Sequence, residues 1–434
     1  MLGASAAALG GLLFGFDTAV ISGTTHALTK VFSLTQTQLG ITVSSALWGT
    51  ILGAWGAGNA GRKYGSRDSL KVAGALYVLS AIGCAVAWKL PILVLARILG
   101  GLGIGCSSVL APVYIAEISP ASSRGRMVGL FQLNVVVGIL LAYLSNFLLS
   151  SLNLGEILWR WQLAVSALPA LIFFVLLFLI PSSPRWLLQQ GRYREARAIL
   201  QQAGSADPSA ELARIAASLA EEDRASAERL FCRAHVRPIL LATSIAVFSQ
   251  LSGINAVLYY LNDIFSATGS SLESSGLQTL AVGLTNLFAT GLAMLTIDRF
   301  GRRPLLMIGA AGMCLTMGGI ALVFVTGSHT HWLVYLLIGY CGFFSFSLGA
   351  VVWVYISELF PNNVRVKGQS FASLTHWAMN AVISIAFPIA AARHLAAAFL
   401  FFALMMAVQF IAAALWYPET TNKSLEDIQS LIEG

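Results

Sequence analysis

The sequence predicts an all-α membrane protein of twelve transmembrane helices arranged as two matching six-helix halves. Three observations carry that expectation. Only 10% of the 434 residues are charged and 57% are hydrophobic, against about 25% charged in a typical soluble chain. The apolar residues come in blocks of about 20, the length a helix needs to cross a ~30 Å hydrocarbon core. Short charged motifs also recur in the two halves of the chain at a nearly constant spacing.

The blocks divide the chain into a six-helix bundle over 1–181, a polar linker over 182–237, a second six-helix bundle over 238–417 and a tail over 418–434. The first block has no basic region ahead of it and reads as a retained span, not a signal peptide. The linker is arginine-rich and alanine-rich, with acids and bases spaced for helix over Tyr193–Gln202 and Ala210–Arg229, so short amphipathic helices are expected there.

The net charge of +7 reports topology. Every Lys and Arg except Lys30, Lys89, Arg97, Arg160 and Arg393 falls at 62–71, 124–126, 185–237, 299–303, 365–367 or 423, all on one side of the expected spans. Basic loops stay cytoplasmic, so the chain is expected to be a multi-pass protein of the cell membrane with both termini inside. A basic patch for nucleic acid is not expected. Cys84, Cys106, Cys232, Cys314 and Cys341 are scattered without a CxxC pair, so free thiols are expected and a zinc framework is not.

The repeat is specific. Gly61-Arg62-Lys63-Tyr64-Gly65-Ser66-Arg67 recurs as Asp298-Arg299-Phe300-Gly301-Arg302-Arg303. Glu117 and Arg124 recur at the same mutual spacing as Glu358 and Arg365, and Pro181-Ser182-Ser183-Pro184-Arg185 has its counterpart in Pro418-Glu419-Thr420. All three correspondences are offset by roughly 240 residues. Parallel repeats with a solute site between the halves are one plan of secondary transporters. Charges at the cytoplasmic helix ends can then act as a gate, pairing when that face is closed. The candidates are Arg67, Glu117, Arg124, Arg185, Asp298, Arg302, Arg303, Glu358, Arg365 and Glu419. The plainer alternative is that they only set topology.

Ordered blocks along the chain resemble the sugar porter family of the major facilitator superfamily. They are Leu9-Gly10-Gly11-Leu12-Leu13-Phe14-Gly15-Phe16-Asp17, Pro112-Val113-Tyr114-Ile115-Ala116-Glu117, Pro184-Arg185-Trp186-Leu187, Gln250-Leu251-Ser252-Gly253-Ile254-Asn255, Ser357-Glu358-Leu359-Phe360-Pro361 and Pro418-Glu419-Thr420. The resemblance implies the major facilitator fold and a small sugar as cargo, with a monomeric carrier in the lipid bilayer. No enzyme activity, cofactor or metal is expected: the chain has no nucleotide loop, no metal-spaced His/Cys cluster and no polar domain large enough for an active site.

A sugar offers hydroxyls that both donate and accept, with apolar C–H faces between them. Amides answer the first and aromatic rings the second, and neutral groups avoid the cost of charge in mid-membrane. The resemblance implies that Gln132, Gln250, Asn255, Asn286 and Trp353 match sugar-contacting positions. A break at Gly253 would turn Gln250 and Asn255 toward one cavity. His376 and Asn380 are spaced to share a helix face and join the candidate set. Any one of these amides could instead tie helices together.

Asp17 is the only acid in a largely apolar first span, and Arg97 is its expected partner. The resemblance implies that this aspartate carries a coupling proton, as in bacterial xylose/proton symporters. A facilitative sugar or polyol carrier, with Asp17–Arg97 a static pair, is the alternative. A non-transporting sugar sensor is remote, since little chain follows the last helix. Several positions depart from the family: Ser249 and His376 stand for amides, Ser166 for a glutamate, and Ala350 and Val352 for prolines, leaving Gly349 as the expected bend. At the cytoplasmic face Arg62, Ser66, Ser182 and Thr421 replace charged or polar gate residues. Fewer gate pairs should weaken the outward-open state and favour an inward-facing rest.

Overall fold

The computed structural model describes residues 2–119, 124–152, 154–202, 207–225, 230–267, 272–361, 364–421 and 423. The side chains of Arg124 and Asp298 also lie outside the described set. Among the described residues the regular structure is all helix. Among the described residues, eleven helical stretches are long and apolar enough to cross a membrane. The last, α19 (Arg365–Leu415), has 51 residues and at 1.5 Å per residue would run about 76 Å. No single crossing needs that. His394, at φ −152° and ψ 90°, breaks it, so α19 supplies two spans and the expected total of twelve is met.

The crossings before it are α1 (Leu2–Val20), α3 (Gln36–Tyr64), α4 (Ser66–Val86), α5 (Leu90–Ile118), α6 (Arg124–Ser150) and the pair α7 (Leu158–Ala164) and α8 (Ala167–Leu179). A short α2 (Thr25–Phe32) follows α1. The linker folds as α9 (Pro184–Gln189), α10 (Tyr193–Gln202) and α11 (Pro208–Ala225). Asp207 starts α11 by accepting the Ser209 and Ala210 N–H groups at 3.0 Å each, which satisfies two of the helix's unpaired donors. The second set of crossings is α12 (Val236–Leu251) with α13 (Ile254–Tyr259), then α15 (Leu272–Phe300), α16 (Arg302–Thr326), α17 (Trp332–Phe346) with α18 (Leu348–Leu359), and α19; a short α14 (Leu261–Ser266) follows α13.

Contacts group the chain into two compact units. One comprises Met1–Thr18, Ser45–Ala142 and Trp159–Ala227; the other comprises Ala19–Ser44, Tyr143–Leu158 and Glu228–Gly434. In the first, α1 and α6 meet backbone to backbone. A Cβ at Gly15 would overlap the Val135 carbonyl, and one at Gly138 would overlap that of Leu12. Small residues permit such an approach where lipid offers no hydrophobic drive for association. In the second, the stretches on either side of the first-half crossings pack with later helices. The Tyr143 hydroxyl donates to the Leu258 carbonyl at 3.1 Å, and the Asn146 amide to that of Val20 at 3.1 Å.

The sequence repeat is also a repeat of geometry. Gly65 has φ 85° and ψ 152°, and Gly301 has φ 87° and ψ 159°, a backbone region essentially closed to side-chain-bearing residues. Each starts the next helix, α4 or α16. In each unit a tyrosine of the fourth crossing of its half reaches the proline that ends the sixth: Tyr114 to the Pro181 carbonyl at 2.7 Å, Tyr355 to that of Pro418 at 2.8 Å. Arg67 donates to the Ile180 carbonyl at 3.4 Å, while Arg303 donates to the carbonyls of Ala413, at 3.1 Å, and Ala414. Cationic donors on the last carbonyls of a helix satisfy its unpaired acceptors and complement its dipole.

Candidate functional site

The seventh crossing breaks where the sequence suggested. Gly253 adopts φ 84°, a left-handed conformation natural only to glycine, and a Cβ there would collide with the Phe402 ring at 2.6 Å. The neighbouring polar groups are satisfied locally. Ser252 donates to the Ser249 carbonyl at 2.7 Å, and Tyr340 donates to the Ser252 carbonyl at 2.9 Å.

The break joins Gln250 and Asn255. The Asn255 amide donates to Gln250 Oε1 at 2.8 Å, and Gln250 Nε2 donates to His376 Nε2 at 2.8 Å. These two bonds fix each other's sense: with Oε1 taken by Asn255, Gln250 presents its NH2 to the imidazole. Gln250 Nε2 also stands 3.3 Å from His376 Nδ1, so the imidazole is the acceptor of this contact. The His376 ring also meets the Trp353 ring, with centroids 4.8 Å apart and the planes tilted by 53°. An acceptor–donor chain ending on an aromatic face is the chemistry a sugar needs. Gln250 is buried while Trp353 is 38% exposed, so the ring is the accessible end of the row.

The other candidates have other hydrogen-bond partners or lie on other elements. Asn286, on α15, accepts from Ser345 at 2.6 Å and Thr290 at 3.4 Å through Oδ1. Asn380 is buried and takes the Ser384 hydroxyl at 3.2 Å. Gln132 lies on α6 in the other unit, half-buried. Ser345 and Tyr340 hold this region's amides and freed carbonyls but carried no sequence signal beyond being polar groups in an apolar span. The bend in the tenth crossing differs from expectation. The irregular residue is Ser347, at φ −115° and ψ −93° between α17 and α18, while Gly349 lies inside α18. The Ser347 hydroxyl donates to the Phe343 carbonyl at 2.6 Å and so satisfies an acceptor at the break. Gly309 on α16 leaves room for it, since a Cβ there would overlap the Ser347 side chain.

In the first unit Arg97 Nη2 faces Asp17 Oδ2 at 3.5 Å. That is wider than the ~2.7–2.9 Å of a tight charge-assisted bond. The guanidinium is 3% exposed and the carboxylate side chain 22%. Arg97 Nε and Nη1 have no hydrogen-bond partner among the described residues. The cation is thus enclosed by the bundle, and the carboxylate is the more open partner of the pair.

The gate candidates form one well-knit group in the second unit. Arg302 Nη2 pairs with Glu358 Oε1 at 3.1 Å, and Thr420 donates to Glu358 Oε2 at 2.6 Å. Glu419 accepts the N–H groups of Arg302, Arg303, Thr420 and Thr421, each at 3.0 Å, so a carboxylate caps the positive end of α16. Burial pushes the Glu419 carboxyl up, but hydrogen bonds from Thr421, Arg302 and Arg303 outweigh it and hold it below the usual glutamate value. Thr421 is engaged as well, accepting from Arg302.

In the first unit the matching helix start has no carboxylate at the Glu419 position, where Ser182 stands. Instead the Trp186 ring lies against Gly65, and its Nε1 donates to the Arg62 carbonyl at 3.2 Å. Ser66, in the place of Arg302, offers no guanidinium to Glu117. Arg67 pairs with its neighbour Asp68 at 3.0 Å, Arg185 reaches Ser218 at 3.4 Å, and Arg365 donates to the Phe360 carbonyl at 3.3 Å. Arg124 and Asp298 fall outside the described side chains.

The family model described as sugar (and other) transporter matches residues 3–432. The chain is 36% identical to the D-xylose-proton symporter of Escherichia coli, over 98% of this chain and 94% of that one. It is 36% identical to the arabinose-proton symporter of Bacillus subtilis, over 98% and 93%. A solved structure of the xylose transporter of E. coli in a partially occluded inward open conformation superposes with a TM-score of 0.87 at 33% identity, covering 97% of this chain and 98% of that one. With its paired helix starts, its amide–imidazole–indole row and its Asp17–Arg97 pair, this multi-pass membrane chain belongs to the sugar (and other) transporter family, within the sugar porters of the major facilitator superfamily.

Proposed function

We propose that the protein is a monosaccharide–proton symporter working by alternating access, with a pentose or hexose as cargo. The observation that carries this reading is the Asp17–Arg97 pair. A buried guanidinium with one long contact to a partly open carboxylate leaves that acid free to exchange its ionic partner for a proton. Relatives over nearly the full chain are named as D-xylose-, arabinose- and galactose-proton symporters, which supports both cargo and coupling.

In this reading 1–181 and 238–417 are the two bodies that rock, 182–237 is a cytoplasmic linker, and both termini are inside. The protein acts as a monomer and has no nucleic-acid role. Sugar is held by the Asn255–Gln250–His376 row against Trp353, with Gln132, Asn286 and Asn380 completing the site. Asp17 takes a proton from outside, which frees it from Arg97 and favours the passage inward. Serines at 66 and 182, where the second half has Arg302 and Glu419, tip the empty carrier toward an inward-facing rest.

The test is uptake of labelled xylose, glucose, galactose and inositol into proteoliposomes, with and without an inward proton gradient. Wild-type protein should accumulate one of the sugars against its gradient, and Asp17→Asn should keep counterflow but lose accumulation. If wild type only equilibrates sugar, coupling is wrong and the protein is a facilitator.

A further inference from the structure

Asp263 lies on α14, beyond the end of the apolar span that finishes at Tyr259. Its Oδ2 is sealed from solvent and has no hydrogen-bond partner among the described residues. Beside the carboxyl is Thr25, which acts on it and whose hydroxyl stands 3.4 Å from the Ser22 carbonyl, and the turn Ile21–Gly23 packs against α14. Thr25 opens α2, so a buried acid of the second half lies against the stretch that follows the first crossing. Both belong to the same compact unit. A half-satisfied buried carboxylate is costly, whereas the neutral acid is not.

The surroundings add little charge. The turn Ile21–Gly23 packed against α14 has no titratable group, and α13 brings Tyr259, followed by Tyr260, whose hydroxyl donates to the Ser384 carbonyl at 3.2 Å. From Ser274 to Ile297, α15 has none, and the side chain of Glu273 lies outside the described residues. On α2, Lys30 and His26 are exposed, and His26 is the one that acts on Asp263. Burial pushes the Asp263 carboxyl up to about 6, against smaller opposing effects of Thr25 and His26.

We propose that Asp263 is a second proton-binding group, at the outer end of the carrier, whose protonation holds the Thr25 segment closed on α14. Loss of that proton to the outer solution releases the segment and opens the carrier outward. The proposal rests on the alternating-access reading, with Ala19–Ser44 on the outer side. Its sign follows from linkage: the packed state binds the proton more tightly, so acid favours closure. A carboxyl near 6 when packed and about 3.9 when free makes closure about tenfold more favourable at pH 5 than at pH 7.5.

The experiment is a distance measurement between spin labels at the exposed Lys30 and Leu277 positions, in a cysteine-free Asp17→Asn background in lipid nanodiscs. The ratio of short to long distances should rise about tenfold from pH 7.5 to pH 5. Asp263→Asn should abolish that dependence and leave the short distance dominant throughout. His26→Gln, a surface change that removes an opposing charge, should move the midpoint to higher pH and decides the matter if the Asp263 variant does not fold. A pH response that survives Asp263→Asn, that is absent from the parent, or that is unmoved by His26→Gln overturns the proposal. The distances require no transport, so failure here is distinguishable from failure of the accumulation assay.

Discussion

Replacing His376 with alanine tests whether the row built on Gln250 is a prearranged sugar site. The imidazole accepts from Gln250 Nε2 at 2.8 Å and lies 4.8 Å from the Trp353 ring. A net hydrogen bond contributes about 0.5–1.5 kcal/mol, and a well-placed aromatic contact about 0.5–1.5 kcal/mol. Removing both costs about 1–3 kcal/mol if sugar binding depends on the row being intact, which is a loss of roughly 5- to 150-fold in affinity. About tenfold is the expected centre, because Gln250 keeps Asn255 as a partner at 2.8 Å and water can replace the lost acceptor. His376→Gln restores an acceptor of similar reach and should bind within about threefold of wild type. Xylose titration followed by tryptophan fluorescence reads this directly, with calorimetry as a check. If His376→Ala binds sugar within twofold of wild type while remaining folded, the row is helix packing and not a recognition surface.

Two further outcomes follow from the helix starts. Glu419→Gln removes the carboxylate that caps α16 and should lower stability by about 1 kcal/mol, read as a fall in Tm in detergent. Because the Glu419 carboxyl is held below its usual value, its contribution is complete at neutral pH and is lost as pH falls through the folded value. The gap between variant and wild type should therefore narrow in acid, and a constant gap would refute the electrostatic account. Ser66→Arg combined with Ser182→Glu should rebuild in the first half what Arg302 and Glu419 do in the second. At about 1–2 kcal/mol for the added pair and cap, the outward-open population should rise roughly 5- to 30-fold in distance measurements on the apo protein. No shift, or a shift inward, would sink the idea that this face sets the resting state.

How much could be read before folding differs by feature, for physical reasons. Span number and the repeat were legible because both are one-dimensional: a bilayer demands about 20 apolar residues per helix, and the repeat preserves residue type at fixed offsets. The φ near 86° shared by Gly65 and Gly301 is the three-dimensional form of a motif already visible in the chain. The break at Gly253 was legible too, because only a glycine tolerates that conformation without strain. The bend at Ser347 was not. A serine has no such preference, and its role depends on room left by Gly309 on another helix.

The sequence by itself determined that this is a twelve-span carrier, that Asp17 and Arg97 are charges within its apolar spans, and which amides fall in those spans. Those follow from solvation, which acts on each residue whatever its partners. Tertiary structure alone decided that Gln250, Asn255, His376 and Trp353 form one row while Asn286 and Asn380 bond to serines. It also decided that the Asp263 carboxyl is sealed from solvent beside Thr25. Hydrogen bonds are short and directional, so which groups satisfy one another depends on helix packing that spacing along the chain does not specify.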